Sequence, residues 1–208
     1  ANNIAEALLN YAPFEPGFFW WGGYGIATEH TAYTNLLNGI SAPMSGSIEQ
    51  NGISIAEQIG GQIFIDSWGL VNPGNPDRAA KQASLAASVT HDGNGIYGGV
   101  FVAVCISYAF IENDIKKIIE KGLSYIPKDC EYSKVAKKVI DFYDNDLEKD
   151  FRKCFKYIYD NFGYDKYPGN CHIIPNMAVM ILAMLYGNGD FEQTILICNM
   201  CGWDTDCN

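Results

Sequence analysis

The stretch YGGVFVAVCISYAFIE, residues 97–112, is apolar on every side when wound as a helix. No face of such a helix suits water, so other elements must enclose it. No run in the chain reaches the ~18 to 20 apolar residues that a membrane span needs. The stretch therefore predicts a helix at the centre of a folded domain, and 208 residues are enough for one well-buried domain.

Helical spacing dominates the rest of the chain, and no alternating strand set competes with it. NPDRAAKQASLAASVTH opens with Asn75 as a cap, Pro76 at the first helical position and Asp77 at the positive end. From Ser133 the apolar positions Val135, Val139, Phe142, Leu147, Phe151, Phe155, Ile158 and Phe162 recur every three to five residues. Charged residues fill the other face, which predicts an amphipathic surface pair broken near Asn145. IPNMAVMILAMLYG and DFEQTILICNMC predict two more helices joined at Gly187 and Gly189, with Asp190 and Gln193 as a capping box. On this pattern the Met177, Met180 and Met184 stripe is core. The N-terminal quarter differs: EPGFFWWGGYG (15–25) and NGISAPMSGSIEQNG (38–52) are rich in Gly, Pro and aromatics and predict long shaped loops of the kind that build sites.

Charge narrows the function classes. The net charge is −10, which argues against a nucleic-acid partner, since neutralising phosphates drives such binding. Twelve of the fourteen Lys and Arg lie between Lys116 and Lys166, leaving two against fourteen acidic residues elsewhere. That excess attracts divalent cations, and it equally serves solubility. The seven cysteines show no disulfide spacing and read as free thiols in a cytoplasmic chain. Cys198 and Cys201 form a CxxC, but no second ligand pair completes a zinc site, so core packing is the better reading.

Three polar turns adjoin helix ends, SVTHDGNGIYGG (88–99), CHIIPN (171–176) and GWDTDC (202–207), and the first and last carry glycine. A helix N-terminus with glycines exposes backbone N–H groups that suit a diphosphate or a ribose hydroxyl. HDGNG also reads as an ordinary turn, and His172 as a satisfied surface histidine. Asp204 and Asp206 are two apart; on a helix they would point about 200° away from each other. In a turn they can converge, and paired carboxylates suit Mg²⁺ or Mn²⁺ rather than zinc. The alternative is that one of them caps a following helix.

AEQIGGQIFIDSWGLVNPGNPDRAAKQASLAASVTHDGNGIYGG, followed by HIIPNMAVMILAMLYGNGDFEQTILICNMCGWDTDCN, resembles the ADP-ribosylglycohydrolase family, in matching order from about residue 28 to the end. The resemblance implies a compact, orthogonal, all-α multi-helix bundle. It also implies two Mg²⁺ or Mn²⁺ ions and cleavage of the glycosidic bond joining ADP-ribose to a protein side chain or small molecule. The family's closing Gly-Gly-Asp-x-Asp-Thr falls on Gly202 to Cys207, which makes Asp204 and Asp206 the metal-holding, catalytic acids. Trp203 stands at the second Gly and Cys207 at the Thr. The resemblance further implies that Gln62 and Asp66, a polar pair on one helix, bind substrate together with His91, Asn94, Gly95, Gly98, Gly99, His172 and Asn176.

The family's first metal half-site is a Thr-Asp-Asp segment near the N-terminus, and no such segment is evident here. On that comparison the chain reads as a single domain, 1–208, truncated at both ends. Glu29 aligns with a glutamate of a related subfamily and is not assigned as the catalytic acid. Two rivals stay open: an inactive, crystallin-like binding or structural protein, and a thiol-redox protein using Cys198 and Cys201.

Overall fold

The computed structural model describes residues 1–12 and 22–208. Among them there are thirteen α-helices, two 3-10 turns and no strand, so the all-α expectation holds. The N-terminal part carries α1 (Asn2–Tyr11), α2 (Thr28–Leu37), and four helices of one turn or slightly more: α3 (Ile48–Asn51), α4 (Ile53–Ala56), α5 (Gly60–Ile63) and α6 (Asp66–Leu70). The larger helices follow: α7 (Pro76–Ala87), α8 (Asn94–Ala109), α9 (Ile115–Leu123), α10 (Glu131–Asn145), α11 (Phe151–Phe162), α12 (Ile173–Gly187) and α13 (Phe191–Cys201).

Two helices carry the core. The apolar α8 packs against α5, α6, α7 and α9, while α12 is clasped by α10, α11 and α13. Twelve of the fifteen residues of α12 are buried, and only Met180, Met184 and Tyr186 are partly exposed. Burying each Ile or Leu of this set stabilises the fold by about 1.5 to 3 kcal/mol. Met177 lies in the core, with Met180 and Met184 packed against it. Asn75 accepts from the Arg78 N–H with Pro76 following it, and the surface pair breaks after Asn145. Asp190 accepts from the Gln193 N–H, the forward half of a capping box; the Asp190 N–H itself bonds to the Gly187 carbonyl.

Residues 38–52 correct one expectation. After turns over 38–43 they form a 3-10 turn at Met44–Gly46 and then α3, with α4 starting directly after Gly52, so the segment is not one continuous loop. Ser47 caps α3, and the Asn35 and Asn51 amides both bond to the Ser45 carbonyl. Gly52, at φ 78°, separates the two helices. Four-residue helices are too short to imprint an apolar period, which is why composition alone reads as loop. Of EPGFFWWGGYG, residues 15–21 lie outside the described residues.

Candidate metal site

The last helix ends at Cys201, and the chain turns sharply through Gly202 (φ 74°) and Trp203 (φ 61°). A left-handed tryptophan costs roughly 1 to 2 kcal/mol. Aromatic packing offsets it: Trp203 stacks on Tyr164 at 5.2 Å and on Tyr159 at 6.2 Å, and Phe155 meets it edge-on at 5.4 Å. Beyond Trp203 the amides of Cys207 and Asn208 both bond to the Asp204 carbonyl at 3.0 Å. This closes a tight turn in which Asp204, Asp206 and Cys207 each offer a ligand atom, all within 4.8 Å of one another.

Asp204 is half-buried and Asp206 exposed. Burial raises the Asp204 pKa, hydrogen bonds from Tyr164 and Cys171 oppose this, and the neighbouring Asp206 charge raises it further. Burial also pushes the Cys207 thiol up to about 12, with help from Asp204 and Asp206. Negative charge thus crowds the turn, the condition under which a cation is favoured. Two carboxylates and a thiol fit a divalent ion as donors, with the thiol the softest of the three.

The support behind Asp204 comes from residues that carried no motif. Tyr164 Oη donates to Asp204 Oδ2 at 3.1 Å and receives Asn176 Nδ2 at 2.8 Å. Asn176 is fully buried and also bonds to the His172 carbonyl and to the Asn208 amide. Burial lifts the Cys171 thiol to about 11, and the charges of Asp204 and Glu29 add to the rise. Glu29 opens α2, and its carboxyl pKa is raised by burial.

The other predicted residues gather in two buried clusters. In the first, His91 is fully buried and held neutral, its pKa pushed down to about 3 by burial. Its Nε2 lies 3.8 Å from Glu29 Oε1, too far for a hydrogen bond, and has no partner. A neutral ring makes this approach something other than an ion pair. Gly60 allows it, since a side chain there would run into Glu29 Oε1 and His91 Nε2.

The second cluster centres on Glu57, which sequence reading passed over. His172 Nδ1 accepts from the Ile174 N–H, leaving Nε2 as the donor that faces Glu57 Oε2 at 3.3 Å. The Asn94 backbone N–H and side-chain amide donate to the same carboxylate at 2.8 to 3.0 Å, and Asn94 Oδ1 accepts from the Tyr132 N–H. An internal carboxylate thus occupies the N-terminus of α8, where an exogenous phosphate was expected. Burial raises the Glu57 pKa, but the bonds from His172 and Asn94 prevail and hold it below the usual value.

Gly95, Gly98 and Gly99 serve close packing. A Cβ on Gly95 or Gly99 would strike the Ala56 or Gly61 carbonyl, and one on Gly98 would strike Ile173. Gln62 and Asp66 do not share a helix: Gln62 is buried in α5, where its Oε1 accepts from Tyr132, and Asp66 starts α6 at the surface. The backbone breaks at Phe64 and Ile65 between them. Two surface grooves, one beside Lys138 and Asp146 and one along Phe191, Ile195 and Leu196, contain none of the predicted site residues.

Cys198 and Cys201 are buried free thiols raised to about 11 and about 12 by burial, which is core behaviour. Among the described residues no helix is long and apolar enough to cross a membrane.

No curated protein and no solved structure matches the chain. A family model described as ADP-ribosylglycohydrolase matches residues 1–208, the whole sequence. The helical fold, the converging acids of the final turn and this full-length match together make the chain a member of the ADP-ribosylglycohydrolase family.

Proposed function

We propose that the chain is a metal-dependent hydrolase that cleaves the glycosidic bond joining ADP-ribose to a protein side chain or a related small molecule. The observation that carries this reading is the final turn, where Asp204 and Asp206 converge beside Cys207 within 4.8 Å. Asp204 and Asp206 would hold a divalent ion, Mg²⁺ or Mn²⁺ by resemblance. Such an ion supplies positive charge to ribose hydroxyls and lowers the pKa of an attacking water.

The chain's own residues have distinct parts in this account. Asp204 is oriented by Tyr164 at Oδ2 and by the Cys171 thiol, which fixes its carboxylate beside Asp206. Glu29, buried with its carboxylate 3.8 Å from the His91 ring, keeps its proton to higher pH than an exposed glutamate and is the acid–base group of this account. Carboxylates on either side of an oxocarbenium-like transition state are general glycosidase logic. His91, neutral and unpartnered at Nε2, backs Glu29. In the full-length protein, Asp206→Ala is expected to abolish Mg²⁺- or Mn²⁺-dependent release of ADP-ribose; undiminished turnover would take Asp206 out of the site.

A second reading, a glycohydrolase-like fold kept for binding or structure, is favoured by Trp203 and Cys207 at motif positions and by Glu57 on the N-terminus of α8. Mn²⁺ titration separates the two. A folded full-length protein that binds no Mn²⁺ supports the structural role.

A further inference from the structure

We propose that Cys207 is itself a metal ligand, and that it turns this half-site toward divalent ions that accept a thiolate, of the Zn²⁺ and Co²⁺ kind, over Mg²⁺. The inference rests on the cation reading of the final turn and adds to it the identity of the ion.

The geometry is close to what a shared ion needs. Tetrahedral ligands about 2.0 to 2.3 Å from one ion stand roughly 3.3 to 3.8 Å apart, so donor atoms within 4.8 Å of one another must close by about 1 Å, which side-chain rotation supplies. The backbone of the turn is already set by the two amides on the Asp204 carbonyl. Cys105, Cys154, Cys198 and Cys201 are core and Cys130 caps α10; Cys171 neighbours Asp204, with its Sγ also 3.7 Å from Gln58 Oε1, but stands outside the group of converging donors. Cys207 alone joins the acid pair.

The donor chemistry then decides the ion. Mg²⁺ demands near-octahedral oxygen ligation and gains little from sulfur, whereas Zn²⁺ and Co²⁺ take mixed carboxylate–thiolate sets readily. Two carboxylates and one thiolate also leave a tetrahedral ion its fourth position, the pattern of catalytic rather than structural sites. On binding, the Sγ–H bond gives way to an Sγ–metal bond and the proton passes to buffer, one per ion.

The test is Co²⁺ titration of the full chain, followed by absorbance and by calorimetry. Wild type is expected to develop a thiolate-to-cobalt charge-transfer band in the near ultraviolet, as is Cys171→Ser. Cys207→Ser and Cys207→Thr, with unchanged circular dichroism, should lose the band and bind Co²⁺ about tenfold more weakly or worse. Co²⁺ bound in wild type without the band, or a band that survives in both Cys207 variants, would overturn the thiol ligand while leaving the carboxylate site standing. Failure of both Co²⁺ and Mn²⁺ to bind would remove the inference and the reading beneath it together.

Discussion

The Tyr164 hydroxyl donates to Asp204 Oδ2 at 3.1 Å while accepting from the Asn176 amide at 2.8 Å. A hydroxyl has one proton, and a carboxylate is its strongest acceptor here. The bonds therefore run in one direction, from Asn208 through Asn176 and Tyr164 to Asp204. Asn176, assigned to substrate binding by resemblance, lies in the core, where it holds the Tyr164 hydroxyl that orients the first of the paired acids.

Tyr164→Phe removes only the last link of that chain. Loss of an orienting partner commonly weakens metal affinity about 10- to 100-fold, while a single hydrogen bond adds only about 0.5 to 1.5 kcal/mol to stability. Calorimetry with Mn²⁺ should show the large affinity loss and thermal melting the small stability loss. Equal affinity in both proteins would reduce Tyr164 to a stacking partner of Trp203.

Glu29 makes a prediction about pH. Burial raises its folded pKa above the ordinary 4.5, with a partial offset from its own backbone. Ionisation is therefore harder in the folded state, and the resulting penalty is absent in acid and grows as pH rises through the folded value. Without divalent ions, Glu29→Gln should melt at higher temperature than wild type at pH 7, with the gap closing towards pH 4. A gap of the same size at both pH values would assign the effect to packing.

Glu57 carries the opposite sign. Its folded pKa lies below 4.5, so the stability it adds is present above that value and is lost as pH falls through the folded one. Glu57→Gln should cost about 1.5 to 3 kcal/mol at pH 7 by weakening charge-assisted bonds. It should also flatten the acid limb of denaturant-midpoint profiles. An unchanged limb would mean that another group governs acid unfolding.

Gly99 distinguishes packing from ligand binding. An added Cβ would sit 2.6 Å from the Gly61 carbonyl, a backbone atom that cannot rotate away. Gly99→Ala should destabilise the fold by roughly 1 to 3 kcal/mol, read by urea denaturation. A variant of wild-type stability would show that α5 and α8 separate easily.

Cys198 and Cys201 should be inert. With thiols at about 11 and about 12 in a buried setting, almost no thiolate exists at neutral pH. Iodoacetamide should label them at pH 7 only after denaturation. Rapid native labelling would revive the redox reading.

The helices were legible in the sequence wherever a local rule was strong enough to act alone. Asn75–Pro76, the break after Asn145 and the enclosed runs of α8 and α12 depend on caps, turns and apolar period, which neighbouring residues specify together. The acids of the final turn were legible for the same reason, since Asp204 and Asp206 are close in sequence. What surrounds them was not. Tyr164 and Cys171 reach Asp204 from more than thirty positions away, His91 meets Glu29 across 62, and Glu57 meets Asn94 and His172 across 37 and 115 positions. The same holds for whether a glycine beside a helix end cradles a ligand or a neighbouring backbone: Gly61 against Gly95 and Gly99 answers it only after α5 and α8 have packed. Local preferences act over a few bonds, whereas burial, and with it the protonation of Glu29, His91 and Cys207, exists only once distant segments have excluded water.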